Sequence, residues 1–200
     1  IKNAGCKSKE DVVFTIKKII DDILAESTSL TLIGGDVSSE FSIFELFVKM
    51  LRKLAGSGRR TFVFVLGNHE LWNFPGLSVD EIVDKYRTVL KENGMYLLHN
   101  DLFYRNESDD MGIIPYDELI QSDNPAILEK LRCTRLVILG GLGFSGYNEE
   151  FNANDGVYRA TVDRNTEIQE SKKFEQLYDK LTDVLAKKNT VIFTHTPKKD

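Results

Sequence analysis

The stretch FVFVLGNHE at positions 62–70 decides the fold of this chain. Its first five residues are aromatic or aliphatic, a composition typical of a strand buried on both faces of a parallel sheet. Gly67, Asn68 and His69 follow at the point where this strand ends. Because open α/β sheets bind ligands at the carboxyl ends of their strands, the stretch predicts both a parallel sheet and a functional edge.

Two further strands are predicted to end in the same way. LTLIGGD at 30–36 and VIFTHTP at 191–197 each pass from an apolar run into glycine or threonine and a side chain that can bind metal. Three strands therefore deliver Asp36, Asn68 and His195 to what we expect to be one edge. A carboxylate, an amide oxygen and an imidazole are all donors for divalent metal ions.

Helical patterns separate the predicted strands. Apolar residues recur at helical spacing in segments 12–24, 41–54, 82–90 and 174–185. Strand–helix–strand units with short links favour right-handed crossovers and a largely parallel sheet, and so an α/β fold.

Local signals predict where several elements begin or turn. Ser8 is a candidate helix N-cap, and Ser78 with Glu81 predicts a capping box at the start of another helix. The apolar segments 95–98 and 102–104 flank a turn-like pair and predict a hairpin.

Length and composition predict one domain spanning residues 1–200, with 42% hydrophobic residues. The formal net charge of −5 gives no support for non-specific nucleic-acid binding. No apolar run approaches the ~20 residues that span a bilayer, so we expect no membrane partner. Cys6 and Cys133 form no paired framework and predict free thiols in a reducing compartment, the cytoplasm. The sequence does not indicate an oligomeric state.

The residues at the predicted edge suit phosphate-ester hydrolysis. Asp36 can bridge two metal ions because a carboxylate has two oxygens, and Asn68 and His195 can serve as further ligands. His69 is the expected proton donor to the leaving group. Glu70 is expected to hold His69 in one tautomer from a supporting position.

The three blocks GGD, GNHE and THTP, in this order after strands, resemble those of the calcineurin-like metallophosphoesterases. The resemblance implies a sandwich of two mixed β-sheets flanked by helices and a phosphorylated substrate. It also implies a binuclear centre of divalent ions such as Mn, Fe or Zn. In that centre Asp36 bridges both metals, Asn68 and His195 bind the second metal, and His69 is the catalytic acid.

Two blocks of that family are absent from the 200 residues. Neither an Asp-x-His nor a Gly-His-x-His sequence occurs, so four expected ligands are missing. We therefore expect a domain that is incomplete at both ends, part of a longer protein, and a chain that alone binds metal poorly.

Two other interpretations stay open. The scaffold can instead be a non-catalytic α/β module that binds a partner. The sequence GLGFSG at 141–146 matches a dinucleotide-binding pattern, which would indicate a nucleotide-binding oxidoreductase.

In the polar loop that follows, Asn154 and Arg159 are candidate substrate contacts. His99 matches no ligand block and is expected to be structural.

Overall fold

The computed structural model describes residues 8–56, 60–144 and 166–197. Within these ranges the chain forms two compact units, which divide between Leu97 and Leu98. Each unit contains its own β-sheet. The two are described in turn.

The first unit contains a three-stranded parallel sheet in the order β1-β2-β3. The strands are β1 (Leu30–Ile33), β2 (Thr61–Phe64) and β3 (Tyr96–Leu97). The helices are α1 (Lys9–Glu26), α2 (Phe41–Ala55), α3 (Asn68–Leu71) and α4 (Val79–Glu92). All four residues of β2 are buried, as its apolar sequence predicts for a central strand.

The second unit contains a four-stranded mixed sheet in the order β5-β4-β6-β7. The strands are β4 (Asp101–Asn106), β5 (Met111–Ile114), β6 (Thr134–Gly143) and β7 (Thr190–Thr196). β4 is antiparallel to both β5 and β6, whereas β6 and β7 are parallel. The helices are α5 (Tyr116–Gln121), α6 (Asn124–Lys130) and α7 (Thr166–Leu185).

Each unit buries an apolar core of its own. In the first unit the ring of Phe44 contacts Tyr86 edge-on at a centroid distance of 4.7 Å and Phe64 at 6.1 Å. In the second unit Phe174 of α7 is fully buried beside Leu102 and Leu139 of the sheet. The predicted α/β class, with two sheets flanked by helices, is confirmed; the first sheet is parallel and the second is mixed.

The local start signals are also confirmed. Ser8 caps α1 together with Asp11, and Ser78 caps α4 together with Glu81, each through reciprocal side-chain and backbone hydrogen bonds. Such signals are readable from sequence because both partners lie within one helical turn.

The predicted hairpin of 95–98 with 102–104 is wrong. β3 pairs with β2 in the first sheet, and β4 pairs with β5 and β6 in the second. Asn100 does adopt a left-handed conformation, with φ of 61°. The turn therefore connects strands of different sheets, because long-range pairing overrides the local turn signal.

Two smaller observations bear on the predictions about membrane-spanning segments and cysteines. None of the described helices is both long and apolar enough to cross a membrane. Cys133 is a free and exposed thiol, and Cys6 lies outside the described residues.

Candidate active site

The site begins where β1 and β2 end side by side. The two strands pair in parallel up to Ile33 and Phe64, and the backbone N–H of Val65 continues the ladder to the carbonyl of Ile33 at 3.1 Å. Their carboxyl ends therefore lie next to each other. The segments that follow carry Asp36 and Asn68.

Two glycines allow these segments to approach closely. A Cβ atom at Gly35, where φ is +87°, would collide with the backbone of Leu66 and Gly67. A Cβ atom at Gly67 would collide with the carboxylate of Asp36. Asp36 itself has φ of 55°, a left-handed conformation that Asp tolerates better than most residues.

Glu70 fastens the two segments together. Its Oε2 accepts the backbone N–H groups of Asp36 and Gly67, both at 2.8 Å, and its Oε1 accepts that of Ser38 at 3.0 Å. The Glu70 side chain is fully buried. A buried carboxylate that accepts three amides orders the backbone around it, because leaving those amides unpaired would be costly.

Burial raises the pKa of Glu70 above its usual range, the three amide hydrogen bonds oppose that rise, and the charge of Asp36 adds to it. The pKa of Tyr86 is also raised, first by burial and then by the charge of Glu70. The Tyr86 phenol therefore stays protonated, and it donates to the carbonyl of Glu70 at 3.1 Å.

Asn73 and Tyr86 hold the backbone of His69 and Glu70 through hydrogen bonds. The Asn73 amide donates to the carbonyl of His69 at 3.2 Å and to the Tyr86 hydroxyl at 3.0 Å. Its carbonyl accepts the N–H of Phe41, the first residue of α2, at 2.9 Å. Neither Asn73 nor Tyr86 is recognisable from the sequence as a site residue, since only the fold brings them together.

His69 is joined to Asp36 through its backbone. The His69 N–H donates to Oδ1 of Asp36 at 3.1 Å, which brings the metal-ligand candidates Asp36 and Asn68 to adjacent positions. Asp36 is exposed, while Asn68 and His69 are half-buried. The carboxylate and the imidazole can thus both be reached by a ligand in solution.

The Glu70 carboxylate was expected to contact the His69 imidazole, but in the structure it contacts backbone amides instead. The Glu70 oxygens are directed to backbone amides, so its support acts on the Asp36 segment rather than on the His69 tautomer. The His69 ring instead lies against the indole of Trp72, with a centroid distance of 4.7 Å and an interplanar angle of 50°.

His195 belongs to the second unit. It lies within β7, between Thr194, which is paired with Gly141, and Thr196, which is paired with Gly143. The sequence predicted a strand that ends before this histidine, but β7 continues to Thr196. His195 is half-buried at the carboxyl end of this strand. The structure therefore brings Asp36, Asn68, His69 and Glu70 together in one unit and places His195 in the other.

The donor set of the first unit suits a divalent ion. A carboxylate and an amide oxygen are ligands that such ions accept, and the missing side chain at Gly67 leaves the Asp36 carboxylate its space. Within the described ranges, however, no group of three or more His, Cys, Asp or Glu side chains is arranged to hold a metal ion.

The glycine-rich sequence at 141–146 has a packing role as far as the structure describes it. Gly141 and Gly143 lie inside β6, whereas a dinucleotide loop begins where its strand ends. A Cβ atom at Gly141 would lie 2.8 Å from Oδ1 of Asn100. The candidate substrate contacts Asn154 and Arg159 fall outside the described residues.

His99 is part of a buried polar cluster in the second unit. Its Nε2 lies 3.1 Å from Oε2 of Glu170, which also accepts the Asn100 amide at 3.1 Å, while Lys173 donates to Oε1 at 2.6 Å. Burial alone would raise the pKa of Glu170, but the hydrogen bonds and charges of His99 and Lys173 lower it to about 2. Nδ1 of His99 is buried without a hydrogen-bond partner among the described residues.

Comparison with known proteins identifies the family of this chain. The family model for the calcineurin-like phosphoesterases matches residues 11–199, which is nearly the whole chain. No curated protein and no solved structure matches the chain significantly. The family match covers both units and all the candidate site residues. The chain belongs to the calcineurin-like phosphoesterase family.

Proposed function

We propose that this protein hydrolyses a phosphate ester at a binuclear metal centre, with Asp36, Asn68 and His195 among the metal ligands. The observation that carries the proposal is the union of the Asp36 and Asn68 segments by the Glu70 carboxylate at the ends of two parallel strands. The family match supports phosphoester hydrolysis in general.

Asp36 is the proposed bridging ligand. Two divalent ions, when bound, would lower the pKa of a water molecule and neutralise charge on the phosphoryl oxygens. The carboxylate of Asp36 has two oxygens, and the His69 amide that donates to Oδ1 fixes its orientation. Asn68 adds a ligand without adding charge, and His195 is the proposed imidazole ligand.

His69 is the proposed general acid. Its backbone is held on Oδ1 of Asp36, and its half-buried ring can reach a bound ester. Protonation of the departing oxygen is needed when the leaving group is a poor one, such as an alkoxide.

The test of the metal requirement uses the purified full-length protein, because the 200 residues alone are expected to bind metal poorly. Activity on phosphate esters should disappear when a chelator removes metal, and it should return on addition of Mn²⁺, Fe²⁺ or Zn²⁺ singly. A non-catalytic module that binds a partner would show no turnover with any of these ions. That outcome would overturn the proposal.

The test of His69 compares an activated aryl phosphate with an alkyl phosphate. His69→Ala should keep its metal and lose roughly 10²–10⁴-fold in turnover of the alkyl ester. The loss on the aryl ester should be smaller, because its leaving group needs little protonation. His99→Gln, a histidine change outside the site, should leave the ratio of the two rates unchanged. Equal losses on both esters by His69→Ala would argue for charge stabilisation instead of proton donation.

A cytoplasmic location is proposed from the cysteines. The exposed free thiol of Cys133 suits a reducing compartment.

A further inference from the structure

We infer that Trp72 is the positioning residue for the imidazole of His69. The inference rests on the proposed function, in which His69 donates a proton to the leaving group. A general acid must be held within hydrogen-bond reach of the atom that it protonates. The residue that orients the His69 ring therefore affects how fast His69 can protonate the leaving group.

Among the described residues, the imidazole of His69 lies against the indole of Trp72. The two ring centroids are 4.7 Å apart and the planes are tilted by 50°. The residues are three apart in sequence and lie on one face of the helical turn that begins at Asn68. The N–H of Trp72 donates to the carbonyl of Asn68 at 3.2 Å, which fixes the backbone that carries both rings.

The hydrogen bonds that Glu70 and Asn73 make in the described part of the chain hold the backbone around this ring. Glu70 accepts amides of Asp36, Ser38 and Gly67. Asn73 donates to the carbonyl of His69. The backbone of His69 is thus fixed by polar contacts, whereas its half-buried ring lies, among the described residues, against the indole.

The expected size of the effect follows from the strength of aromatic contacts. A pair of this kind favours one side-chain arrangement by a factor of about 2 to 10. Loss of the indole should therefore reduce the population of the productive His69 orientation by a similar factor. The reduction should appear in turnover and should be larger for an ester that needs the acid.

The first test is spectroscopic and does not depend on catalysis. The chain contains 3 histidines, so the imidazole proton signals can be assigned with a His69→Ala variant. The indole should shift the His69 signals by its ring current, and Trp72→Leu should abolish that shift. Phe74→Leu is the matched control, since Phe74 is also half-buried and packs on Phe41 and Tyr86 instead. Unchanged His69 signals in Trp72→Leu would overturn the inference.

A second variant protects this test against misfolding. Trp72→Phe keeps a smaller aromatic ring and should give an intermediate ring-current shift. It should also restore most of the turnover that Trp72→Leu loses. If Trp72→Leu does not fold, Trp72→Phe decides the question by itself. His69 signals in Trp72→Phe that match those of the wild type would then overturn the inference.

The second test is a kinetic cycle on the alkyl and aryl esters. Trp72→Leu should lose about 2- to 10-fold on the alkyl ester and less on the aryl ester. In the His69→Ala background the same change should have no further effect on the ratio of the two rates. A loss that is equal on both esters, or that persists without His69, would overturn the inference.

The cycle also separates the two proposals. If His69→Ala affects both esters equally, the proposed acid role of His69 fails whatever Trp72 does. If His69→Ala discriminates between the esters and Trp72→Leu does not, the inference about Trp72 fails alone.

Discussion

Oε2 of Glu70 accepts the backbone N–H of Asp36 at 2.8 Å, across 34 positions of sequence. The same oxygen accepts the N–H of Gly67, so one buried atom joins the segments that follow β1 and β2. The position of the Asp36 carboxylate therefore depends on a residue that is not itself a proposed metal ligand.

Glu70→Gln should loosen this connection. The amide of Gln has one acceptor oxygen, so at least one of the three backbone N–H groups loses its partner and an NH₂ group faces it. An unsatisfied buried donor costs about 1–3 kcal/mol. We expect the free energy of unfolding to fall by about that amount in urea denaturation, and metal content to fall with it.

Glu81→Gln is the matched control for this substitution. Glu81 is the acidic partner in the exposed capping box of α4, and Gln can take its place there. The free energy of unfolding of the Glu81→Gln variant should hardly differ from that of the wild type. If the two variants were equally stable, the Glu70 network would not order the site.

Gly67→Ala should displace the Asp36 carboxylate. Gly67 has extended backbone, with φ of −102°, so alanine causes no backbone strain there. Its Cβ would instead collide with Asp36, and overpacking of this kind costs about 1–3 kcal/mol. We expect loss of both metal binding and phosphoesterase activity, measured on the purified full-length variant.

Gly56→Ala provides the opposite control. Gly56 has φ of +67°, and a Cβ atom there would meet no described neighbour within 4 Å, so alanine adds strain without collision. It should reduce stability by about 1–3 kcal/mol, because φ of 67° with ψ of −163° is a conformation that only glycine adopts readily, and it should leave activity intact. Equal activity in the two alanine variants would show that the close approach at Gly67 does not matter for the site.

What sequence predicted well was local or strongly periodic. β1 begins and ends at the residues expected, and the capping residues Ser8 and Ser78 cap their helices. These features depend on neighbours within one turn or one strand. The placement of Asp36 and Asn68 on adjacent segments followed from the rule that parallel strands end at one edge.

What sequence could not predict depends on distant partners. The segments around β3 and β4 have the composition of a hairpin, and only competition between two sheets decides that they do not pair. Glu70 was expected to contact its neighbour His69, but its burial directs it to amides as far away as Asp36. No pattern in the sequence encodes that preference.

Asp36→Asn should separate metal binding from folding. Asn also tolerates the left-handed conformation of position 36, and its side-chain oxygen can still accept the N–H of His69. The variant should fold normally, yet lose the negative charge that the proposed centre needs. We expect metal content and activity to be lost together, by metal analysis and kinetics.

Asp183→Asn, an exposed substitution in α7, is its control and should retain both metal and activity. An Asp36→Asn variant with full metal content and normal turnover would contradict the bridging role.

Glu170 should make the stability of the protein depend on pH. Burial alone would raise its pKa, but His99 and Lys173 lower it from 4.5 to about 2. Because the pKa is lower in the folded state, this carboxylate stabilises the fold above about pH 4.5, and that contribution is lost as the pH falls through 2. Glu170→Gln removes the titrating group. The difference in unfolding free energy between the wild type and this variant should therefore shrink by about 3 kcal/mol between pH 5 and pH 2. Urea denaturation across that range measures the difference.

Glu129→Gln, at an exposed ion pair with Arg132, is the control and should show a difference from the wild type that hardly varies with pH. A Glu170→Gln curve that runs parallel to the wild type would show that the cluster around His99 does not hold Glu170 ionised.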